Sequence, residues 1–257
     1  MSYKNCFVTK STVLSSLVAG AALCFSVMAS AAPMSLTDGV GGYGVSGVDG
    51  VVGAPPGGGD YGWVSTSGGA GGVYLDGLGG TNGSYVRTAA FSATAGQSLS
   101  FDFNYISSDG GRYADYGWVR LWSADLSQSF LLFTVHTTDD GTDIFGTQGA
   151  AQINLPNASI TGGAPNWSAL DKYSEKCYRS GGGCGSTGWL KASFDIIDAG
   201  DYILEFGVSN RFDKGYDSGL AFAGIPGGGS QVPEPASLAL LGLGIAGLAW
   251  RGCRKEI

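Results

Sequence analysis

The stretch SLSFDFNYI, from Ser98 to Ile106, alternates without a break as far as Tyr105. Leu99, Phe101, Phe103 and Tyr105 fall on one side, and Ser98, Ser100, Asp102 and Asn104 on the other. Successive side chains of an extended chain point to opposite faces, so the pattern predicts a strand with one face in a core. Six further runs read the same way: SYVRTAAFSA (84–93), YGWVRLWSA (116–124), FLLFTVHT (130–137), GWLKASFDI (188–196), YILEFGVSN (202–210) and GLAFAGI (219–225). Ala-Gly, Asp-Gly, Asn-Gly and glycine-rich stretches separate them, which is the chemistry of turns. No long segment of period 3.6 interrupts the series. Short strands so spaced predict an all-β domain, a single β-sandwich of jelly-roll-like type.

Two parts of the pattern echo each other. ATAGQSLSFDFNYISSDGGRYADYGWVRL (93–121) and IDAGDYILEFGVSNRFDKGYDSGLAF (197–222) each run through Ala-Gly, an alternating strand, an Asp-bearing loop, D-x-G and a second strand. That layout predicts two similar hairpins on facing sheets.

The ends of the chain are of a different kind. Residues 1–32 begin with sparse basic charge (Lys4, Lys10), continue apolar from Val13 to Met28, and close on Ala29-Ser30-Ala31. This is the layout of a signal peptide cut after Ala31 or Ala32; an uncleaved helix would ask for a longer apolar run. At the other end, VPEPASLALLGLGIAGLAWRGCRKEI (232–257) joins a Pro-Glu-Pro triplet, an uncharged run at 236–250 and a basic cluster. Fifteen residues of helix span about 22 Å, against roughly 30 Å of hydrocarbon core, and Gly242, Gly244 and Gly247 weaken the run further. As a permanent anchor it is poor.

Between these ends, 33–59 reads as an irregular glycine-rich lead-in with one short strand, 60–226 as the sandwich and 227–231 as a Gly/Ser linker. The lead-in contains G-x-G-x-x-G twice, but no strand–turn–helix unit surrounds it, so a nucleotide site is not expected. Residues 33–230 carry nine Lys and Arg against nineteen Asp and Glu, a net charge of −10, where the whole chain has −7. So acidic a body excludes nucleic acid as a partner. Two cysteines lie in the body, Cys177 and Cys184. In an exported protein this spacing predicts a disulfide closing a glycine-rich loop; a zinc site would want four ligands.

The chemistry-bearing residues gather in loops. Asp109 and Asp115 (SSDGGRYADYG), and Asp213 and Asp217 (FDKGYDSG), are candidate calcium ligands, because Ca²⁺ takes six to eight oxygens from flexible carboxylate and carbonyl loops. The competing reading has these aspartates capping turns with their own backbone. DDGTD (139–143) is a weaker calcium candidate. Among aromatics outside the expected core, Trp63 and Trp167, read as loop residues, are the candidates for stacking on sugar rings. No nucleophile elbow or H-E-x-x-H motif is present, and the one histidine, His136, sits in a strand-like run. No enzyme activity is expected.

The tail resembles the PEP-CTERM sorting signal of exported bacterial proteins. Val232, Pro233, Glu234 and Pro235 match its processing motif; Arg251, Arg254 and Lys255 match its basic stop, with Glu256 and Ile257 as a short extension. The resemblance implies a transmembrane helix at about 236–250 held only transiently in the inner membrane, processing by an exosortase-type enzyme, a Gram-negative envelope and exopolysaccharide nearby. Signal peptidase and exosortase are the implied processing partners. The run FGVSNRFDKGYDSGLAFAGI (206–225) resembles the closing segment of jelly-roll-like PEP-CTERM proteins, which commonly end in Asp-Asn where this chain has Ala223-Gly224. The expectation is therefore a non-catalytic, envelope-associated or released β-sandwich of the extracellular polysaccharide matrix or biofilm. The alternatives are a calcium-dependent glycan-binding module and, further off, a secreted polysaccharide hydrolase.

Overall fold

Six of the seven alternating runs are each a strand, and the run at 84–93 is two, in a computed structural model that describes residues 34–47, 52–109, 113, 115–136, 152–154, 156–161, 177–178 and 184–226. In chain order the strands are β1 (Leu36–Val40), β2 (Gly42–Ser46), β3 (Tyr61–Ser65), β4 (Ala70–Gly71), β5 (Asn82–Thr88), β6 (Phe91–Ala93), β7 (Ser98–Ser107) and β8 (Tyr116–Ser123). There follow β9 (Ser129–His136), β10 (Gln152–Asn154), β11 (Ser159–Thr161), β12 (Gly185–Ser186), β13 (Leu190–Asp195), β14 (Gly200–Asn210) and β15 (Ser218–Ala223). They build two antiparallel sheets. The first runs β1-β5-β14-β8-β9-β10, with β4 on β5 and β6 on β14; the second runs β11-β13-β7-β15-β3-β2, with β12 on β7. The expected signal peptide, linker and 236–250 membrane stretch, the sorting tail, DDGTD and Trp167 lie outside the described residues. Among the described residues no helix is long and apolar enough to cross a membrane.

The core is the sum of the alternating faces. Phe101, Phe103, Phe133, Phe206, Phe222, Leu204 and Leu220 are fully buried between the sheets. Phe206 of the first sheet stacks on Phe222 of the second with ring centroids 3.8 Å apart, and Phe101 meets Phe206 edge-on at 5.3 Å. Full burial of one such ring contributes about 1.5–3 kcal/mol. The opposite face of β7 is open to water at Ser98 and Ser100 but closed further along the strand. Asp102 and Asn104 are buried there, Asp102 beside Lys191 at 3.4 Å and Asn104 accepting from the Thr187 hydroxyl.

The echoed segments are not hairpins within one sheet. β7 lies in the second sheet and β8 in the first; β14 lies in the first and β15 in the second. Each segment is an arch that crosses the sandwich. The arches run side by side, Ser209 pairing with Tyr116 in one sheet and Ser218 with Ser107 in the other. Their connections, 108–115 and 211–217, are long enough to step between layers about 10 Å apart, which a two-residue hairpin turn is not. Both Asp-rich loops therefore come to the same end of the molecule.

The glycine-rich lead-in contributes two strands where an irregular segment with one short strand is expected. β1 pairs with β5 in the first sheet and β2 with β3 in the second. Gly41 alone separates them, with φ +85°, and a Cβ there would stand 2.2 Å from Ser84 Oγ. Only glycine meets both demands, so this residue switches the chain from one sheet to the other. The low complexity of the segment hides this pairing, which a few side chains support: the Thr37 hydroxyl bonds the Thr88 carbonyl, Asp38 pairs with Arg87, and Ser84 Oγ accepts the Gly42 N–H.

Candidate functional site

The arch ends form a buried polar knot. Tyr105, in phase with the core residues of β7, donates its hydroxyl to the Asp115 carbonyl at 2.7 Å. Asp115 is itself buried; its Oδ1 accepts the Arg211 N–H at 3.0 Å and its Oδ2 lies 2.9 Å from Ser218 Oγ. Ser218 Oγ is also 2.9 Å from Ser107 Oγ, which accepts the Asp109 N–H. Burial pushes the Asp115 carboxyl up to about 8, and the nearby Asp109 charge pushes the same way; the Arg211 N–H and Ser218 hydroxyl act against them. Burial likewise raises the Tyr105 hydroxyl well above its ordinary value.

The four aspartates expected as calcium ligands reach this end in two layers. Asp109 and Asp115 are buried, whereas Asp213 and Asp217 are exposed. Asp213 Oδ1 accepts the Gly215 N–H at 2.8 Å, and its carbonyl accepts the Thr81 hydroxyl. Asp217 Oδ1 accepts the Thr66 hydroxyl at 3.2 Å, and its carbonyl accepts the N–H and hydroxyl of Ser108. These are the bonds of turn residues. Among the described residues no three His, Cys, Asp or Glu side chains gather in a geometry that would hold a metal ion.

Cys177 and Cys184 are bonded to each other, with Cα atoms 5.7 Å apart. The closed loop leads into β12, which pairs with the end of β7, and the Tyr178 N–H bonds the Ser108 carbonyl at 2.9 Å. Tyr178 also meets Tyr113 and Tyr216 edge-on, at 5.3 and 5.4 Å. The disulfide thus fastens an aromatic cover to the aspartate end.

Trp63 lies in β3 rather than in a loop. It opens into a cleft of about 410 Å³ on the outer face of the second sheet, lined among others by Tyr61, Ile106, Ser65 and Asp217. Its indole lies across Gly44 of β2, its registered partner, where a Cβ would stand 2.9 Å from the ring. Tyr61 is held edge-on by Trp189 at 5.9 Å, and the Trp189 N–H bonds the Gly53 carbonyl. A half-buried flat ring with hydroxyls and a carboxylate at its rim suits a sugar ring, which offers apolar C–H faces and polar edges.

The sequence reading missed the partners that complete the knot, Ser107, Ser218 and Thr66. Their only signal is that small hydroxyl residues stand where β7 ends (Ser107), where β15 begins (Ser218) and just past β3 (Thr66).

Against known families, the model of the PEP-CTERM protein-sorting motif matches residues 231–255. The motif implies an exported protein that is processed at the membrane by an exosortase-type enzyme. No curated protein and no solved structure matches the chain.

Proposed function

We propose that this chain is an exported β-sandwich protein of the extracellular polysaccharide matrix, released or held at a Gram-negative surface, that works by binding rather than by catalysis. The observation that carries the reading is the sorting motif at 231–255, because the resemblance implies export and processing in association with exopolysaccharide production. The Trp63 cleft supports a glycan as the ligand, with one flat ring, one tyrosine and an acidic rim in a pre-shaped hollow. A glycan array of the mature protein tests it. Binding is expected to neutral or mixed sugars and to fall about tenfold or more in Trp63→Ala, as loss of an aromatic anchor commonly does. An array blank for native protein would sink the glycan reading. Repeating it with a chelator separates a calcium-assisted grip through Asp109, Asp115, Asp213 and Asp217 from one made by rings and hydroxyls. The turn bonds of Asp213 and Asp217 lead us to expect no change.

A further inference from the structure

The outer face of the first sheet carries a second assembly. Strand register sets Arg87 of β5, Glu205 of β14 and Arg120 of β8 in one row across three strands. The neighbouring row is Tyr85, Gly207 and Trp118, and Trp122 flanks the other side, paired with Ile203. Glu205 is only 3% exposed and is held from four directions. Its Oε2 accepts from Arg87 Nε at 3.0 Å and from the Trp122 N–H at 3.0 Å, and Arg87 NH2 stands 2.9 Å away; its Oε1 accepts from the Trp118 N–H at 3.1 Å. Trp118 reaches it by lying over Gly207, where a Cβ would stand 2.1 Å from the ring. Arg87 sits 4.8 Å from the Tyr85 ring and 5.2 Å from the Trp122 ring.

Arg87 is spent on these bonds: its NH1 pairs with Asp38 at 2.9 Å and its side chain is 16% exposed. Arg120 is not. It is 24% exposed, and its charge contact among the described residues is a long one, 3.7 Å to Glu205 Oε1. It lies 5.9 Å from the Trp122 ring. A guanidinium with donors to spare, set beside fixed rings, matches a planar carboxylate attached to a ring with apolar faces. On a chain that is acidic overall, two of the five cations among the described residues meet on this face, where Asp38 and Glu205 balance them, so it is a neutral patch from which Arg120 still has donors to offer.

We propose that this face binds a carboxylated glycan, a uronate-bearing polysaccharide chain, with Arg120 pairing the carboxylate and the Tyr85–Arg87–Trp122 stack supporting the sugar ring. Glu205 is the positioning residue that fixes rings and guanidinium before the ligand arrives, so little side-chain entropy is lost on binding. The proposal rests on export but not on the Trp63 cleft, which lies on the other sheet.

Affinity electrophoresis of the mature protein in polygalacturonate tests it. Retardation is expected in polygalacturonate and not in dextran, weakening as salt rises. Arg120→Gln lowers affinity about tenfold or more, as loss of a charge-assisted pair does, while Arg120→Lys retains part of it and Trp63→Ala retains all. Methyl-esterified polygalacturonate, which leaves the protein untouched, is expected to lose retardation whether or not the variants fold. Equal retardation by the ester, native affinity in folded Arg120→Gln, or equal competition by poly-glutamate would each overturn the proposal. Loss of polygalacturonate binding in Trp63→Ala alone would transfer it to the cleft and refute the platform while sparing the function proposed above.

Discussion

Asp115 ties the chain's stability to pH. Burial lifts its carboxyl from an ordinary 3.8 to about 8. A group that holds its proton more tightly folded than unfolded contributes fully below its unfolded pKa, and that contribution is lost as pH rises through the folded value. Melting temperature is therefore expected to decline between about pH 4 and pH 8, and Asp115→Asn, which copies the neutral acid, is expected to flatten the decline. A native profile that rises over this window would refute the assignment. Gly207 is a second residue with a large predicted effect. Adding a methyl group there displaces Trp118 from Glu205, so Gly207→Ala is expected to cost about 1–3 kcal/mol and to shift tryptophan emission to the red. Asp115 was legible as a loop aspartate. Its burial was not, because burial depends on which loop meets which across the sandwich. The Arg87–Glu205–Arg120 row was hidden for the same reason, since its members lie far apart in sequence and meet only through strand register.

At the scale of elements, the disulfide and the lead-in strands are the parts most open to test. Replacing Cys177 and Cys184 by serine releases the loop that carries Tyr178 to Ser108. For so short a ring the expected loss is roughly 2–3 kcal/mol, read as a lower urea midpoint, and no change would mean the aspartate end is held by its hydrogen bonds alone. Gly41→Ala is expected to destabilise both sheets together, since it strains φ +85° and meets Ser84; proteolysis between β1 and β2 would report it. The long strands were readable because their alternation survives any topology. Sheet membership was not, and two hairpins were expected where there are two arches. One short strand was expected in the lead-in and two are present, because Leu36–Val40 shows no clear alternation while Tyr43 and Val45 do.

At the scale of the whole molecule, the sorting motif predicts a mature chain that has lost its end. Intact mass measurement of protein from its host is expected to show loss of the residues beyond the Pro-Glu-Pro region, and a terminus preserved at Ile257 would contradict processing. The sandwich itself is arranged so that its latest strands are its most central. β14 stands between β5 and β8, and β15 between β7 and β3, yet they are the last strands in chain order among the described residues. During export the earlier strands therefore wait as open edges: the first sheet closes only once residues up to Asn210 have crossed, and the second only once residues up to Ala223 have. Folding is then a late, nearly simultaneous event, timed by the passage of the final arch. A chain stopped after Ile196 would emerge with two half-built sheets and aggregate rather than fold.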